Sequence, residues 1–239
     1  MTTINTYHNE NNSLDYLEIK NGEDLPTVVL LHGYGANMKD LAPLATLLPE
    51  LKKYNWIFPD GPLKVPIGPH MYGKAWFPID MEQLNVAMMT GGFENLFSDQ
   101  YPKGMEESAQ LLKNFLTEHI KGELILGGFS QGSMMTCDLA FNYEVPAKAL
   151  VLLSSTLVAK ERLNSSLSKK TKAEETKKIP IFQSHGTGDP VLPLAMARKL
   201  KEILVEKEYK VDYHEFPGGH EIPPRILQSL IHFLKENIK

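Results

Sequence analysis

One short segment of the sequence carries the pattern of a nucleophilic serine. Ser130 follows the apolar run 124–129, lies between Gly128 and Gly132, and is followed directly by a helix-compatible run. A G-x-S-x-G pattern between a strand and a helix is typical of a strained turn that lifts the serine hydroxyl clear of the sheet. Small residues are required on both sides, because a side chain would collide within so tight a turn. The pattern predicts that Ser130 is a nucleophile that forms a covalent acyl intermediate.

A serine nucleophile also needs an acidic residue, and after this kind of turn the acid follows the serine in the chain. Three aspartates follow Ser130. Asp138 falls within the helix that leaves the turn, and Asp212 falls within an alternating strand. Asp189 lies in a loop of glycine and proline directly after an apolar strand. Because active sites in open parallel sheets lie at the carboxyl ends of strands, Asp189 is predicted as the acid.

The base is sought among the four histidines that follow Ser130. His232 neighbours the apolar stripe of the last helix, and His214 lies within a strand, so packing or surface roles explain both more simply. His220 lies in a glycine-rich loop between the last strand and the last helix. We therefore expect His220 to take the serine proton while the acid fixes its tautomer. His185 stays open as the alternative, although it precedes the acid in the chain.

Two backbone N–H groups are needed to stabilise the oxyanion that forms when a serine attacks an acyl carbon. One donor belongs to the residue after the nucleophile, which is Gln131. The other comes from the loop after an early strand, and the loop 32–35 follows the apolar run 27–31. Tyr34 is predicted to donate there, since a backbone donor leaves its side chain free to vary. A plain strand-ending turn is the alternative interpretation of this loop.

Strand-like and helix-like segments alternate along the chain and must position these residues. Seven short apolar or alternating runs predict strands, at 16–19, 27–31, 56–58, 123–129, 149–153, 179–183 and 211–216. Helical periodicity falls between them, at 41–51, 106–120, 193–206, after Ser130 and near the carboxyl terminus. This alternation predicts one α/β domain over residues 1–239, with a mostly parallel sheet flanked by helices on both faces.

Two segments depart from this alternation. Residues 63–103 show poor periodicity and are rich in proline, glycine, aromatic residues and methionine. Long irregular segments tend to be functional, so this excursion is expected to line or cover a binding pocket. Residues 160–178 are dense in lysine, glutamate, serine and threonine. They are interpreted as a charged, solvated or disordered surface insertion rather than as a tail that binds a partner.

Composition excludes several classes of function. The 239 residues are 42% hydrophobic and 23% charged, and a net charge of −4 gives no general attraction to nucleic acid. No run approaches the roughly 18 apolar residues of a membrane span. The polar beginning shows no signal-peptide pattern, so a cytoplasmic location is expected. The single cysteine, Cys137, is interpreted as a small buried hydrophobic residue rather than a reactive thiol.

Four blocks in this order resemble the phospholipase/carboxylesterase family, which includes acyl-protein thioesterases and small bacterial carboxylesterases. They are residues 31–35, 127–132, 185–193 and 218–221. The block Gly127–Gly132, which reads G-G-F-S-Q-G, is more specific than a generic serine turn. The resemblance implies an α/β-hydrolase fold and hydrolysis of carboxylic esters or thioesters without a metal or organic cofactor. It also implies a homodimer, because family members often dimerise.

The resemblance also assigns roles to individual residues. It implies a catalytic triad of Ser130, Asp189 and His220, and an oxyanion hole formed by the backbone N–H groups of Tyr34 and Gln131. The pair Trp76 and Phe77 is similar to a tryptophan–phenylalanine pair near the family's acyl pocket, which predicts a substrate-binding role. Pro78 follows here where the family often has aspartate, so the shape of the pocket is expected to differ.

These observations predict a serine hydrolase that cleaves esters of small to medium acyl chains through an acyl-enzyme intermediate. Acyl-thioesters and lysophospholipids are further candidate substrates. A peptidase or a lactonase of the same fold is one alternative, and a binding module without turnover is another. The presence of Ser130, Asp189, His220 and both glycine-containing loops argues against the binding module, because loss of catalysis usually begins with loss of one of them.

Overall fold

A computed structural model describes residues 2–8, 14–93, 97–98, 100–169 and 178–238. Within these ranges the strands are β1 (Thr3–Tyr7), β2 (Tyr16–Lys20), β3 (Thr27–Leu31), β4 (Asn55–Pro59), β5 (Leu63–Gly68), β6 (Met71–Ala75), β7 (Leu124–Phe129), β8 (Ala149–Leu153), β9 (Ile181–Gly186) and β10 (Val211–Phe216). The helices are α1 (Leu44–Leu47), α2 (Met81–Thr90), α3 (Met105–His119), α4 (Gln131–Asn142), α5 (Lys160–Lys169), α6 (Leu194–Glu206) and α7 (Pro224–Asn237), and a 3₁₀ helix spans Pro49–Lys53. None of these helices is long and apolar enough to span a membrane.

The central sheet has eight strands in the order β1-β2-β4-β3-β7-β8-β9-β10. The strands from β4 to β10 in this order pair in parallel, and the two pairings at one edge, β1 with β2 and β2 with β4, are antiparallel, so only β2 runs opposite to the other strands. Parallel strands send their carboxyl ends to the same edge of a sheet. The loops that follow β3, β7, β9 and β10 therefore meet at that edge, and these loops carry all the site residues expected from the four motif blocks.

Helices cover both faces of the sheet, because successive strand residues point to opposite faces and both sets are apolar. In β3, Val29 and Leu31 belong to one buried cluster together with side chains from α3, α4 and α6. Val28 and Leu30 belong to a second cluster on the other face, which contains the apolar stripe of α7. The predicted fold class, an α/β-hydrolase fold with a mostly parallel sheet, is confirmed.

Two parts of the amino-terminal region differ from the sequence-based expectation. Strand β1 was not expected, because Thr3–Tyr7 is exposed and lacks an apolar face. The expected helix over 41–51 is interrupted, since α1 is short and Leu48 is extended at φ −132° and ψ 142° before the 3₁₀ helix that begins at Pro49. A residue that precedes proline is driven out of the helical region, which accounts for the break.

The excursion 63–103 contains regular structure that weak periodicity concealed. Strands β5 and β6 form an antiparallel hairpin outside the main sheet. Helix α2 follows, and its first N–H groups are capped by the carboxylate of Asp80, which accepts hydrogen bonds from the N–H groups of Glu82 and Gln83. Gly91 ends this helix in the left-handed conformation, at φ 74°. An aspartate cap and a terminal glycine are readable in the sequence, so local signals for this helix were present.

The expectation that residues 160–178 form a solvated or disordered insertion is wrong for the first ten residues. Lys160–Lys169 is helix α5, and its Leu163 and Leu167 are buried in the cluster that also contains α4. Two leucines four positions apart are enough to anchor an otherwise polar helix, because they lie on one face. Residues 170–177 lie outside the described residues.

Truncation of Leu163 tests whether α5 belongs to the folded core. The side chain is 3% exposed, so Leu163→Ala is expected to lower the free energy of unfolding by about 2–5 kcal/mol, the usual cost of a cavity. The exposed neighbour Ser165 gives the matched control, and Ser165→Ala should change that free energy by less than about 0.5 kcal/mol. Urea unfolding measures both. Equal stability of the two variants would restore the interpretation as a surface insertion.

Candidate active site

Ser130 occupies the sharp turn between β7 and α4. Its backbone lies at φ 54° and ψ −119°, which side-chain-bearing residues rarely adopt. The turn is held by hydrogen bonds on both sides, since the N–H of Ser130 donates to the carbonyl of Leu153 at 2.9 Å and the N–H of Ser133 donates to the carbonyl of Ser130 at 3.0 Å. The strained turn expected from the G-x-S-x-G pattern is therefore present, and the local hydrogen bonds sustain it.

The glycines on either side of this turn lie where no side chain fits. A Cβ atom on Gly128 would lie 2.2 Å from the carbonyl carbon of Gly132. One on Gly132 would lie 2.1 Å from the carbonyl oxygen of Leu31. Both obstacles are backbone atoms, which cannot move aside as a flexible side chain would. The spacing seen in the sequence thus has a steric cause.

The structure brings Asp189 and His220 together from two neighbouring loops. Asp189 lies in the loop after β9 and His220 in the loop after β10, and Nδ1 of His220 lies 2.7 Å from Oδ2 of Asp189. The loops are joined by backbone hydrogen bonds, from the N–H of Thr187 to the carbonyl of Phe216 at 2.7 Å and from the N–H of Gly188 to the carbonyl of Gly218 at 2.9 Å. Because β9 and β10 are paired in parallel, the acid and the histidine follow two adjacent, hydrogen-bonded strands.

The surroundings of Asp189 keep its carboxylate ionised, and the ionised carboxylate determines which ring nitrogen of His220 carries the proton. Its Oδ1 accepts hydrogen bonds from the N–H groups of Val191 at 2.8 Å and Leu192 at 2.9 Å. Burial alone would raise the pKa of Asp189, but the hydrogen bonds from His220 and from these N–H groups outweigh it and hold the pKa below its ordinary value. An ionised carboxylate only accepts hydrogen bonds, so the proton lies on Nδ1 of His220 and leaves Nε2 free to act as a base. The imidazole packs against Phe129, the residue before Ser130, with ring centroids 4.7 Å apart.

The loop after β3 borders the serine. A Cβ atom on Gly33 would lie 3.4 Å from Cβ of Ser130. The N–H groups of Gly35 and Ala36 donate to the carbonyls of Lys74 and Gly33, at 2.8 and 3.3 Å. Among the residues that the structure describes, the N–H of Tyr34 has no acceptor. It is thus a donor in this loop that is available to an oxyanion.

The second expected donor belongs to the first residue of α4. Gln131 begins this helix, and the first N–H groups of a helix have no intrahelical partner. The helix dipole adds a partial positive charge at the same point. Since β3 and β7 are paired with Leu31 opposite Gly128, the donors at Tyr34 and Gln131 follow adjacent strands.

His32 is a structural residue of the site to which the sequence analysis assigned no role. It is 1% exposed, and its Nε2 accepts a hydrogen bond from the N–H of Gly61 at 2.9 Å. Its Nδ1 must then carry the proton and donates to the carbonyl of Gly33 at 2.7 Å. Burial lowers the pKa of His32, although the hydrogen bond to Gly33 and the charge of Asp60 oppose the shift. A neutral His32 therefore ties the loop after β3 to the loop after β4.

The lowered pKa of His32 makes the stability of the fold depend on pH. The unfolded histidine gains a proton below about pH 6.5, whereas the buried ring resists protonation. The stabilisation is thus complete above about pH 6.5 and is lost as the pH falls toward the lowered folded-state pKa. In urea unfolding between about pH 7.5 and pH 5, wild type should lose its stability advantage over His32→Gln. An advantage that does not change with pH would contradict this assignment.

Trp76 and Phe77 are both completely buried in the core cluster, with 0% exposed surface. The indole N–H of Trp76 donates to the carbonyl of His32 at 2.9 Å, and the backbone N–H of Trp76 donates to Oε1 of Gln131 at 2.9 Å. Neither ring offers a surface to a substrate in this conformation. Their placement in this conformation gives no support to a role as walls of an acyl pocket, and that role stays a prediction from the resemblance.

His185, the alternative base, also lies against the acid but from the interior. It is 0% exposed, and its Nε2 lies 2.9 Å from the carbonyl of Leu192 and 3.5 Å from Oδ2 of Asp189. Enclosed on the buried side of the carboxylate, it has no open path to a substrate. The other two histidines that follow Ser130 have different carboxylate partners: His214 pairs with Asp212 at 2.9 Å, and His232 pairs with Glu236 at 3.3 Å on the surface.

Two further residues singled out in the sequence are part of the core. Asp138 is buried in α4 and accepts a hydrogen bond from the hydroxyl of Tyr101 at 2.7 Å. Burial raises the pKa of the neighbouring Cys137 thiol to about 12, with a smaller contribution from the charge of Asp138. The thiol stays protonated at neutral pH, which agrees with its interpretation as a small buried hydrophobic residue.

Comparison with known proteins places the chain in a family. A model of the phospholipase/carboxylesterase family matches residues 14–238. The chain is 26% identical over 229 residues to acyl-protein thioesterase 1 of Debaryomyces hansenii, which covers 89% of this chain and 91% of that protein. It is 27% identical over 225 residues to acyl-protein thioesterase 1 of Saccharomyces cerevisiae, which covers 89% of this chain and 92% of that protein.

Solved structures share the architecture over almost the whole length. The crystal structure of esterase PE8 superposes with a TM-score of 0.73 at 26% identity, over 95% of this chain and 100% of that chain. Maize acyl-protein thioesterase 2 superposes with a TM-score of 0.73 at 22% identity, over 94% of this chain and 99% of that chain. At 22% identity, the similarity to the maize protein shows a shared fold only.

Proposed function

The chain belongs to the phospholipase/carboxylesterase family, and from that premise we propose that Ser130, Asp189 and His220 are its catalytic triad. The enzyme is a serine hydrolase that acts on esters and thioesters. The assignment of the triad is supported above all by the 2.7 Å contact between Nδ1 of His220 and Oδ2 of Asp189, next to the strained turn at Ser130.

In this proposal Ser130 Oγ attacks the acyl carbon while Nε2 of His220 takes the hydroxyl proton. The resulting tetrahedral intermediate expels the alcohol or thiol, which receives that proton from His220. Water then attacks the acyl-enzyme, with His220 again as the base, and releases the carboxylic acid and the free serine. Asp189 remains ionised throughout and stabilises the imidazolium that forms at each step.

The oxyanion of both tetrahedral intermediates is held in this proposal by the N–H groups of Tyr34 and Gln131. Support comes from the unused N–H of Tyr34 and from the position of Gln131 at the start of α4. Donors fixed before the reaction need no reorganisation when negative charge develops, and losing one such donor typically costs about 100- to 1,000-fold in turnover.

We propose acyl esters and acyl-thioesters of small to medium chain length as substrates, with lysophospholipids as a further candidate. The hairpin of β5 and β6 adjoins the oxyanion loop, since the N–H of Lys74 donates to the carbonyl of Ala36 at 2.7 Å, and a Cβ atom on Gly35 would lie 3.0 Å from Cγ2 of Ile67. The exposed apolar side chain of Ile67 makes this hairpin the candidate to border the acyl chain. A peptidase, a lactonase and a binding module without turnover are not favoured.

Labelling with a fluorophosphonate tests the proposed function directly. The probe is expected to modify Ser130, identified by mass spectrometry of the labelled peptide, and to abolish hydrolysis of p-nitrophenyl butyrate and of butyryl-thiocholine in parallel. A series of p-nitrophenyl esters from acetate to palmitate then locates the acyl-chain optimum. Ester hydrolysis that survives complete labelling of Ser130 would refute the assignment.

The single-domain organisation over residues 1–239 and the homodimer expected from the family are also proposals. Each buried cluster extends along the sheet and contains residues from early and late strands, which supports one domain. A cytoplasmic location remains a prediction.

A further inference from the structure

Trp76 forms hydrogen bonds with both segments that carry the proposed oxyanion donors. Its indole N–H donates to the carbonyl of His32, which lies two residues before Tyr34. Its backbone N–H donates to the side chain of Gln131, the residue that supplies the other donor. The two donors themselves belong to different loops, after β3 and after β7, so their separation is not fixed by any single turn of the chain.

The side chain of Gln131 forms two hydrogen bonds with the segment that contains Trp76 and Phe77. Its Oε1 accepts from the N–H of Trp76 at 2.9 Å, and its Nε2 donates to the carbonyl of Phe77 at 2.7 Å. Gln131 is 1% exposed, so its amide is buried and water does not compete for its hydrogen bonds. The amide orientation is consistent with both partners, one a donor and the other an acceptor.

The remaining polar group of Trp76 is also satisfied, and its ring is enclosed. The hydroxyl of Ser108 in α3 donates to the carbonyl of Trp76, and the ring lies 5.2 Å from that of His32, centroid to centroid. With 0% of its surface exposed, the indole is enclosed by the protein. A buried residue that is hydrogen-bonded to both segments can determine the position of one relative to the other.

We propose that Trp76 and the side chain of Gln131 form a bridge that sets the distance between the two oxyanion donors. Trp76 is thus a positioning residue and does not touch the substrate. This inference rests on the proposed function, because it concerns the donors assigned there. Displacements of about 1 Å at such donors cost up to about 100-fold in rate, so a bridge of this kind acts on turnover more than on substrate binding.

Trp76→Phe removes the indole N–H and keeps an aromatic ring in the core. We expect kcat to fall about tenfold with KM changed less than about twofold, and by the same factor for acetate, butyrate and octanoate esters. The inhibition constant of a trifluoromethyl ketone, which forms a tetrahedral adduct with the serine, should rise by about the same factor. A residue that merely supports the fold would not change that constant.

Trp56 provides the matched control. It is 1% exposed, and its indole N–H also donates to a backbone carbonyl, that of Leu51 at 3.0 Å, in the cluster on the other face of the sheet. Trp56→Phe should lower the free energy of urea unfolding about as much as Trp76→Phe does. It should leave kcat and the inhibition constant unchanged.

Gln131→Met tests the bridge from its other end and keeps the inference testable if Trp76→Phe does not fold. It retains the backbone N–H that serves as oxyanion donor and deletes both side-chain hydrogen bonds. We expect a similar loss in kcat of about tenfold. Because either change breaks the same bridge, the double variant should lose about tenfold rather than the roughly 100-fold of independent effects.

Three outcomes would overturn the inference. A Trp76→Phe enzyme with wild-type kcat and inhibition constant, in which Ser130 is still labelled by the phosphonate, overturns the bridge alone. A loss that grows with acyl-chain length would make Trp76 a wall of the pocket instead. A wild-type enzyme in which Ser130 is not labelled would overturn the proposed function, and the bridge with it.

Discussion

Replacement of Ser130 by alanine is expected to lower the turnover of p-nitrophenyl butyrate by at least about a thousandfold, the scale seen when a triad member is removed. The change deletes only Oγ, the atom that forms the bond to the acyl carbon. Backbone hydrogen bonds hold the turn on both sides, from the N–H of Ser130 and to its carbonyl, so the fold should persist. Initial rates at saturating ester measure the loss.

The control for this prediction is a serine that is not among the site residues. Ser229 in α7 donates its hydroxyl to the carbonyl of Arg225 at 3.2 Å, and Ser229→Ala should keep full turnover. Circular dichroism and urea unfolding of Ser130→Ala establish that it is folded. A folded Ser130→Ala protein with substantial residual activity would exclude Ser130 as the nucleophile.

Removal of the His220 imidazole is expected to be comparably damaging, again by at least about a thousandfold in turnover. Without Nε2 of His220 the serine hydroxyl has no base to take its proton, so the rate of fluorophosphonate labelling of Ser130 should fall as well. Ester hydrolysis and the time course of labelling measure the two effects on one preparation of His220→Ala.

Two other histidines serve as comparisons for His220. His214, which pairs with Asp212, and the buried His185 should both retain turnover when replaced by alanine, provided that the variants fold. Loss of turnover in folded His185→Ala, with His220→Ala still active, would make His185 the base. It would also show that the order of acid and base along the chain is a poor guide in this protein.

The residues of the proposed triad could be found in the sequence because the chemistry imposes local requirements. The turn at Ser130 needs glycines at fixed offsets, and Asp189 and His220 each follow a strand in a loop of small residues. The strand at 27–31 and that at 211–216 have the bounds expected from their apolar patterns. Local patterns report such features because burial and turn geometry act on neighbouring residues.

The features that the sequence could not predict depend on contacts between distant residues. Trp76 and Gln131 are 55 positions apart, and nothing local indicates that the amide of one meets the backbone of the other. The resemblance suggests that Trp76 and Phe77 form a pocket wall. Their burial, however, depends on how segments that are distant in the sequence pack together. Helix α5 was missed for a different reason. Its two buried leucines lie among many polar residues, so the polar composition of the segment concealed the helical spacing of the leucines.

The sheet order has a consequence for how the enzyme inactivates. His220 follows β10, the last strand in the order, which is paired on one side with β9 and is only partly buried over most of its length. Ser130 follows β7, which is flanked by strands on both sides. Edge elements with few buried contacts open at lower free-energy cost than central ones. We therefore expect sub-global opening to detach the base while the nucleophile is still in place, so that inactivation precedes global unfolding.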